Sequence, residues 1–112
     1  MKKLVLFAGI FFCVAWIVFA QFETGNSLLA KFEEKEDWVK TGKNAWGYPF
    51  AGGYIIGIFD AYSGILAVPE NVIREQVYDI AIKFIKENPE RRHEKASVLL
   101  LEAFKKAFPK ND

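Results

Sequence analysis

The sequence predicts an all-α protein, a small bundle of four to five helices behind an N-terminal signal segment. Three observations predict it. Apolar residues in the second half recur at helical spacing, with Ile73, Val77, Ile80, Ala81 and Phe84 at i, i+4, i+7, i+8 and i+11. Each of the four prolines, at 49, 69, 89 and 109, falls where one such segment should start or stop. The first twenty residues carry two lysines and then a long apolar run of their own.

That run defines the domain organisation: residues 1–20 as a signal peptide, or alternatively a membrane anchor, and residues 21–112 as the helical domain. Lys2 and Lys3 form a short basic start, Leu4 to Ala20 is free of charge, and Val18-Phe19-Ala20 suits cleavage before Gln21. Seventeen uncharged residues also reach the lower limit for spanning a bilayer, and Trp16 would suit an interface. Either way the body of the chain is expected across the inner membrane, in the periplasm. The single cysteine, Cys13, lies inside this segment after Phe11 and Phe12, a poor context for lipidation. The exported part therefore holds no cysteine, which is unusual for a small exported domain.

Four helical segments follow. The first starts after Thr24-Gly25-Asn26-Ser27, where Asn26 or Ser27 can cap it, and carries Leu28, Leu29 and Phe32 into Glu33–Asp37. A polar stretch from Lys40 to Tyr48 breaks it, and Pro49 marks the next start. The second runs from about Phe50 to Tyr62. Gly53, Gly57 and Ala61 form a smooth stripe at i, i+4 and i+8, which suits close approach of another backbone and makes this helix the expected buried centre. A strand over Tyr54–Phe59 is the competing assignment. The third helix spans about Val72 to Asn88, and Pro89 stops it. The fourth starts near His93 and buries Ala96, Leu99, Leu100, Ala103, Phe104 and Ala107.

Composition and chemistry narrow the function. Of 15 basic residues two lie in the leader, leaving 13 against 14 acidic ones in the exported part. A near-neutral domain excludes a polybasic nucleic-acid binder. His93 is the only histidine, so one chain cannot build a two-histidine metal site, and no cofactor is implied. His93-Glu94 begins like a helical zinc-protease motif, but Ser97 stands where the second histidine belongs. Gly52-Gly53 has neither a Walker lysine nor a dinucleotide pattern around it. Asp60, a lone acid in the most apolar helix, reads as a general acid or base, or as a carboxylate tied to a helix terminus, a tyrosine or Arg74. The second of these is preferred, because catalysis needs a cleft and a second group. The expectation is a binding protein and not an enzyme.

The order of short motifs carries a resemblance. Phe50-Ala-Gly-Gly-Tyr-Ile-Ile-Gly-Ile-Phe-Asp-Ala61, Val68-Pro69, Gln76, Phe84-Ile85, Asn88-Pro89-Glu90, Ala96 and Phe108-Pro109 together resemble the type VI secretion amidase immunity proteins (Tai/Rap-like). Thr24–Leu29 resembles that family's opening segment. Phe32, Ala51, Ala67 and Lys110 stand where the family usually has cysteines, and Ile73 where it often has a capping Thr or Ser. The resemblance implies a periplasmic helical protein, often a homodimer, that blocks a papain-like peptidoglycan amidase effector by filling its substrate groove. The alternative, from another class, is a small periplasmic structural or chaperone-like helical protein without a toxin partner.

Two surfaces are candidates for the partner. The first is the hinge Asn88–His93, with Glu90, Arg91, Arg92 and His93, because adjacent arginines suit bidentate contacts to carboxylates. The second is the loop flanked by Trp38, Trp46 and Tyr48, since Trp and Tyr most often anchor interfaces.

Overall fold

The computed structural model describes residues 22–43 and 46–111. The leader, Cys13 and the expected cleavage site lie outside the described residues. What is described is all-α, and Tyr54–Phe59 is helical, not a strand. The helices are α1 (Gly25–Glu33), α2 (Lys35–Thr41), α3 (Gly47–Tyr62), α4 (Arg74–Glu87) and α5 (Ala96–Ala107), with single 3-10 turns at Ser63–Ile65 and Pro89–Arg91.

The start of α1 is a reciprocal cap, one residue pair away from the expected one. Thr24, extended at φ −106° and ψ 168°, is the N-cap. Its Oγ1 accepts from the Ser27 amide at 3.2 Å, and Ser27 Oγ accepts from the Thr24 amide at 2.9 Å. Glu23 adds an acceptor for Ser27 Oγ (2.8 Å) and for Lys31 Nζ (2.8 and 2.9 Å). At Glu34 the backbone leaves the helix, and α2 resumes from Lys35 and ends on Gly42 in the left-handed region at φ 65°.

Helix α3 starts at Gly47, earlier than expected, with Pro49 in the first turn where no amide donor is needed. It touches every other helix, yet it is not buried all round. Ala51, Gly52 and Ile55 face the core, whereas Gly53, Gly57, Asp60 and Ala61 are exposed. A Cβ added at Gly53 or Gly57 would meet nothing within 4 Å. The smooth stripe is thus the open side of α3, correcting the expectation that another backbone packs there. The apolar neighbours supply enough surface on the opposite side, so α1, α4 and α5 all pack on that side. Asp60 makes no side-chain hydrogen bond or ion pair among the described residues; only its backbone carbonyl is used, accepting from Ser63 Oγ at 2.9 Å.

Helix α4 begins at Arg74. Ile73 caps it with backbone alone, and its amide donates to Gln76 Oε1 at 2.9 Å, half of a capping box without the usual hydroxyl. The buried face is Val77, Tyr78, Ala81, Ile82 and Ile85, rotated from the expected one: Ile73 is exposed, and Ile80 and Phe84 are half-buried.

Helix α5 starts at Ala96 rather than near His93, because the preceding residues pair with the entry to α1. Gly25 N–H donates to Glu94 O (3.1 Å), Asn26 N–H to Arg92 O (2.9 Å) and Ala96 N–H to Glu23 O (2.8 Å). This crossing needs glycine at 25, where a Cβ would lie 2.7 Å from Leu99 Cδ1 and 3.1 Å from the Arg92 Cα and carbonyl oxygen. The expected α5 core is otherwise present, except that Ala107 is exposed. The largest fully buried side chains are Phe104, Leu28, Ile55, Ile85, Leu99 and Leu100, one cluster shared by α1, α3, α4 and α5. At the far end of α5, Ala67 N–H donates to Phe108 O (3.1 Å) and Lys110 Nζ to Gly64 O (3.1 Å), tying the tail to the turn after α3.

Candidate partner-binding surfaces

The hinge between α4 and α5 is a closed electrostatic unit. Arg91 donates to Glu94 through Nε (2.6 Å) and Nη2 (3.0 Å), and to Glu102 through Nη1 (2.5 Å) and Nη2 (2.9 Å). One guanidinium clamps two carboxylates. Hydrogen bonds from Arg91 hold both the Glu94 and the Glu102 carboxyls below the usual carboxylate range. Arg92 turns the other way. Its Nε donates to Ile85 O and its Nη2 to Lys86 O, both at 3.1 Å, closing the last turn of α4. Both side chains that the sequence offers for carboxylate recognition are therefore engaged within the chain, while Glu90 and His93 are exposed beside them.

The second surface lies at the opposite end of α4. Its 14 residues span about 21 Å at 1.5 Å per residue. Phe32, at the end of α1, packs on Tyr48 (centroids 5.3 Å apart) and edge-on to Tyr78 (5.8 Å). Trp38 lies 5.7 Å from Tyr48, and Tyr48 and Tyr78 meet at 6.4 Å. Trp38 is 40% exposed and Trp46 86% exposed. Between these rings, α3 and the start of α4 opens a cleft of about 520 Å³, lined by Trp38, Tyr48, Gly52, Ile56, Arg74 and Tyr78 among others. Its floor depends on Gly52, because a Cβ there would come 2.5 Å from the Tyr78 hydroxyl. Burial pushes that hydroxyl above its usual value, and the neighbouring Arg74 guanidinium pulls it part of the way back.

Of the residues singled out from sequence, Trp46 and Tyr48 belong to the aromatic end, and Glu90, Arg91, Arg92 and His93 to the hinge. Tyr78 is not among them, and Arg74 is named only as a partner for Asp60, a pairing that is absent among the described residues. Their signal is the spacing Arg74, Tyr78, Ile82, Ile85, which carries the buried face of α4 out to its N-terminus. Among the described residues no group of three or more His, Cys, Asp or Glu could hold a metal ion, and no helix is long and apolar enough to cross a membrane.

The described residues form a small helical domain of short helices around one apolar cluster, with exposed aromatic rings at one end. Residues 24–109 match the family model of the Rap1a immunity proteins, and the chain belongs to that family. Neither the characterised proteins nor the solved structures compared with it match the chain. Membership of an immunity family implies that the chain binds a toxin partner.

Proposed function

We propose that the protein is a periplasmic immunity protein, a homodimer that binds a papain-like peptidoglycan amidase delivered by type VI secretion and blocks it by occluding its substrate groove. The observation that carries this reading is the family match over residues 24–109. The apolar leader supports export, and a chain whose one cysteine sits in that leader and whose one histidine is His93 supports binding without catalysis. Within this reading the aromatic end around Trp46 and Tyr48 is the toxin-facing surface. It offers large exposed rings, the side chains that most often dominate interface energetics. The hinge, with Glu90, Arg91, Arg92 and His93, is the competing surface.

Calorimetric titration of the exported protein against a papain-like type VI amidase effector, with a muropeptide-release assay, tests the reading. Tight binding with loss of hydrolysis is the expected result; undiminished hydrolysis at excess protein would overturn it. Cell fractionation and analytical ultracentrifugation check the compartment and the dimer.

A further inference from the structure

We infer that the aromatic cleft is the seat for an acidic, otherwise apolar loop of the toxin, and that Arg74 is the group that takes the loop's carboxylate. The inference rests on the toxin-binding reading above and adds the chemistry of what is bound.

The chain has three arginines, and they differ in what they hold. Arg91 clamps two carboxylates and Arg92 two backbone carbonyls. Among the described residues Arg74 has neither kind of partner; it lines the cleft within hydrogen-bond reach of the neutral Tyr78 hydroxyl, which leaves its charge unmatched. Its charge is misplaced for its own helix end. Arg74 is the first residue of α4, and the positive end of a helix dipole disfavours a cation there. The adjacent Glu75, which also lines the cleft, is the charge that the same dipole favours. Glu75 is thus accounted for by the fold, and Arg74 is not. An anion from outside would satisfy Arg74 and the helix end together.

The rest of the cleft sets what must accompany that anion. Trp38, Tyr48, Pro49, Ile56 and Tyr78 present rings and aliphatic surface. The volume of about 520 Å³ falls within the range of roughly 300–1,000 Å³ typical of small-ligand sites. That is room for a few side chains of a loop, not for a flat surface. Apolar walls exclude water, and a charge-assisted hydrogen bond formed between them is stronger than one in solvent.

The neighbouring charges give the test its sign. An incoming carboxylate is attracted by Arg74 and repelled by Glu75, so neutralising each should act in opposite directions. The experiment measures the affinity of the exported protein for the amidase effector that it inhibits, at several salt concentrations. Arg74→Gln should weaken binding by about tenfold or more, with a melting curve shifted little, since the free protein loses the contact to the neutral Tyr78 hydroxyl and no ion pair. Glu75→Gln should leave binding equal or tighter. Arg74→Glu should lose more, and changing one acidic loop residue of the amidase to Arg should recover it. Wild-type affinity in both Arg74 variants overturns the inference while leaving the toxin-binding reading intact. Tighter binding by Arg74→Gln, with weaker binding by Glu75→Gln, would mean a basic loop and overturns it as well. A change in sedimentation of the protein alone, with amidase affinity unmoved, would give the cleft to a second copy. If the wild-type protein neither binds nor inhibits the amidase, the toxin-binding reading fails and the inference fails with it.

Discussion

The two ends of α4 share arginine, glutamate and glycine and do opposite things with them. At the hinge end, arginine, glutamate and backbone carbonyls satisfy one another, and glycine brings two backbones together. At the aromatic end, an arginine and two tryptophans are left facing outward, and a glycine makes room for a cleft. Charge spent inside the chain stabilises the fold and leaves little for a partner. Charge left unmatched does the reverse. The contrast shows why a pair of adjacent arginines in a sequence is weaker evidence for binding than a single arginine that has no carboxylate or carbonyl to hold.

The largest effect that should break this comparison lies at Gly25. Gly25→Val places branched carbon against Leu99 and the Arg92 backbone, which cannot yield without opening the hinge. Overpacking of this kind costs about 1–3 kcal/mol, and urea unfolding should show it. Trp46→Ala should do the opposite. Its side chain is almost wholly exposed, so stability should stay within about 0.5 kcal/mol, while toxin binding, measured by calorimetry, should weaken by about 2 kcal/mol if Trp46 is an interface anchor.

Arg91→Gln comes next. It should lower the melting temperature, leave toxin affinity unchanged and alter the pH profile. Arg91 holds the Glu94 and Glu102 carboxyls below their ordinary value of 4.5. The stability they contribute is therefore present above about that pH and is lost as pH falls through their folded values. Unfolding measured between neutral and acid pH should show a steeper acid limb in the wild type than in Arg91→Gln. Added salt should shrink the difference, because these groups are solvent-screened.

The smallest effect belongs to Gly57. A stripe packed against another backbone would make Gly57→Leu overpack; the open face instead predicts no loss, and a gain of up to about 1 kcal/mol from helix propensity, visible as a slightly raised melting curve.

Much of the fold is legible in the sequence because local signals govern it. The prolines bound the segments, and the α5 core of Ala96, Leu99, Leu100, Ala103 and Phe104 follows from spacing alone. What is not legible depends on contacts distant in the chain. The start of α5 is set by pairing between Thr24 and Lys95, and no feature near His93 announces it. The open side of α3 depends on where its neighbours pack, which its own composition leaves undecided. Arg91 finds Glu102 eleven residues away on the next helix, so the hinge looks free until that helix is placed. Tyr78 carries a polar group into a buried face, and a count of apolar residues at i and i+4 passes over it.

The fold is also held without a covalent cross-link. With one cysteine in the whole sequence, no intramolecular disulfide can form. Where the resembled family usually has cysteines, Phe32 instead joins the ring cluster beside α3, Ala67 donates its amide to Phe108, and Lys110 reaches Gly64. Maturation of this domain should need no oxidising catalyst, and thiol reductants that cripple stapled periplasmic proteins should leave it intact.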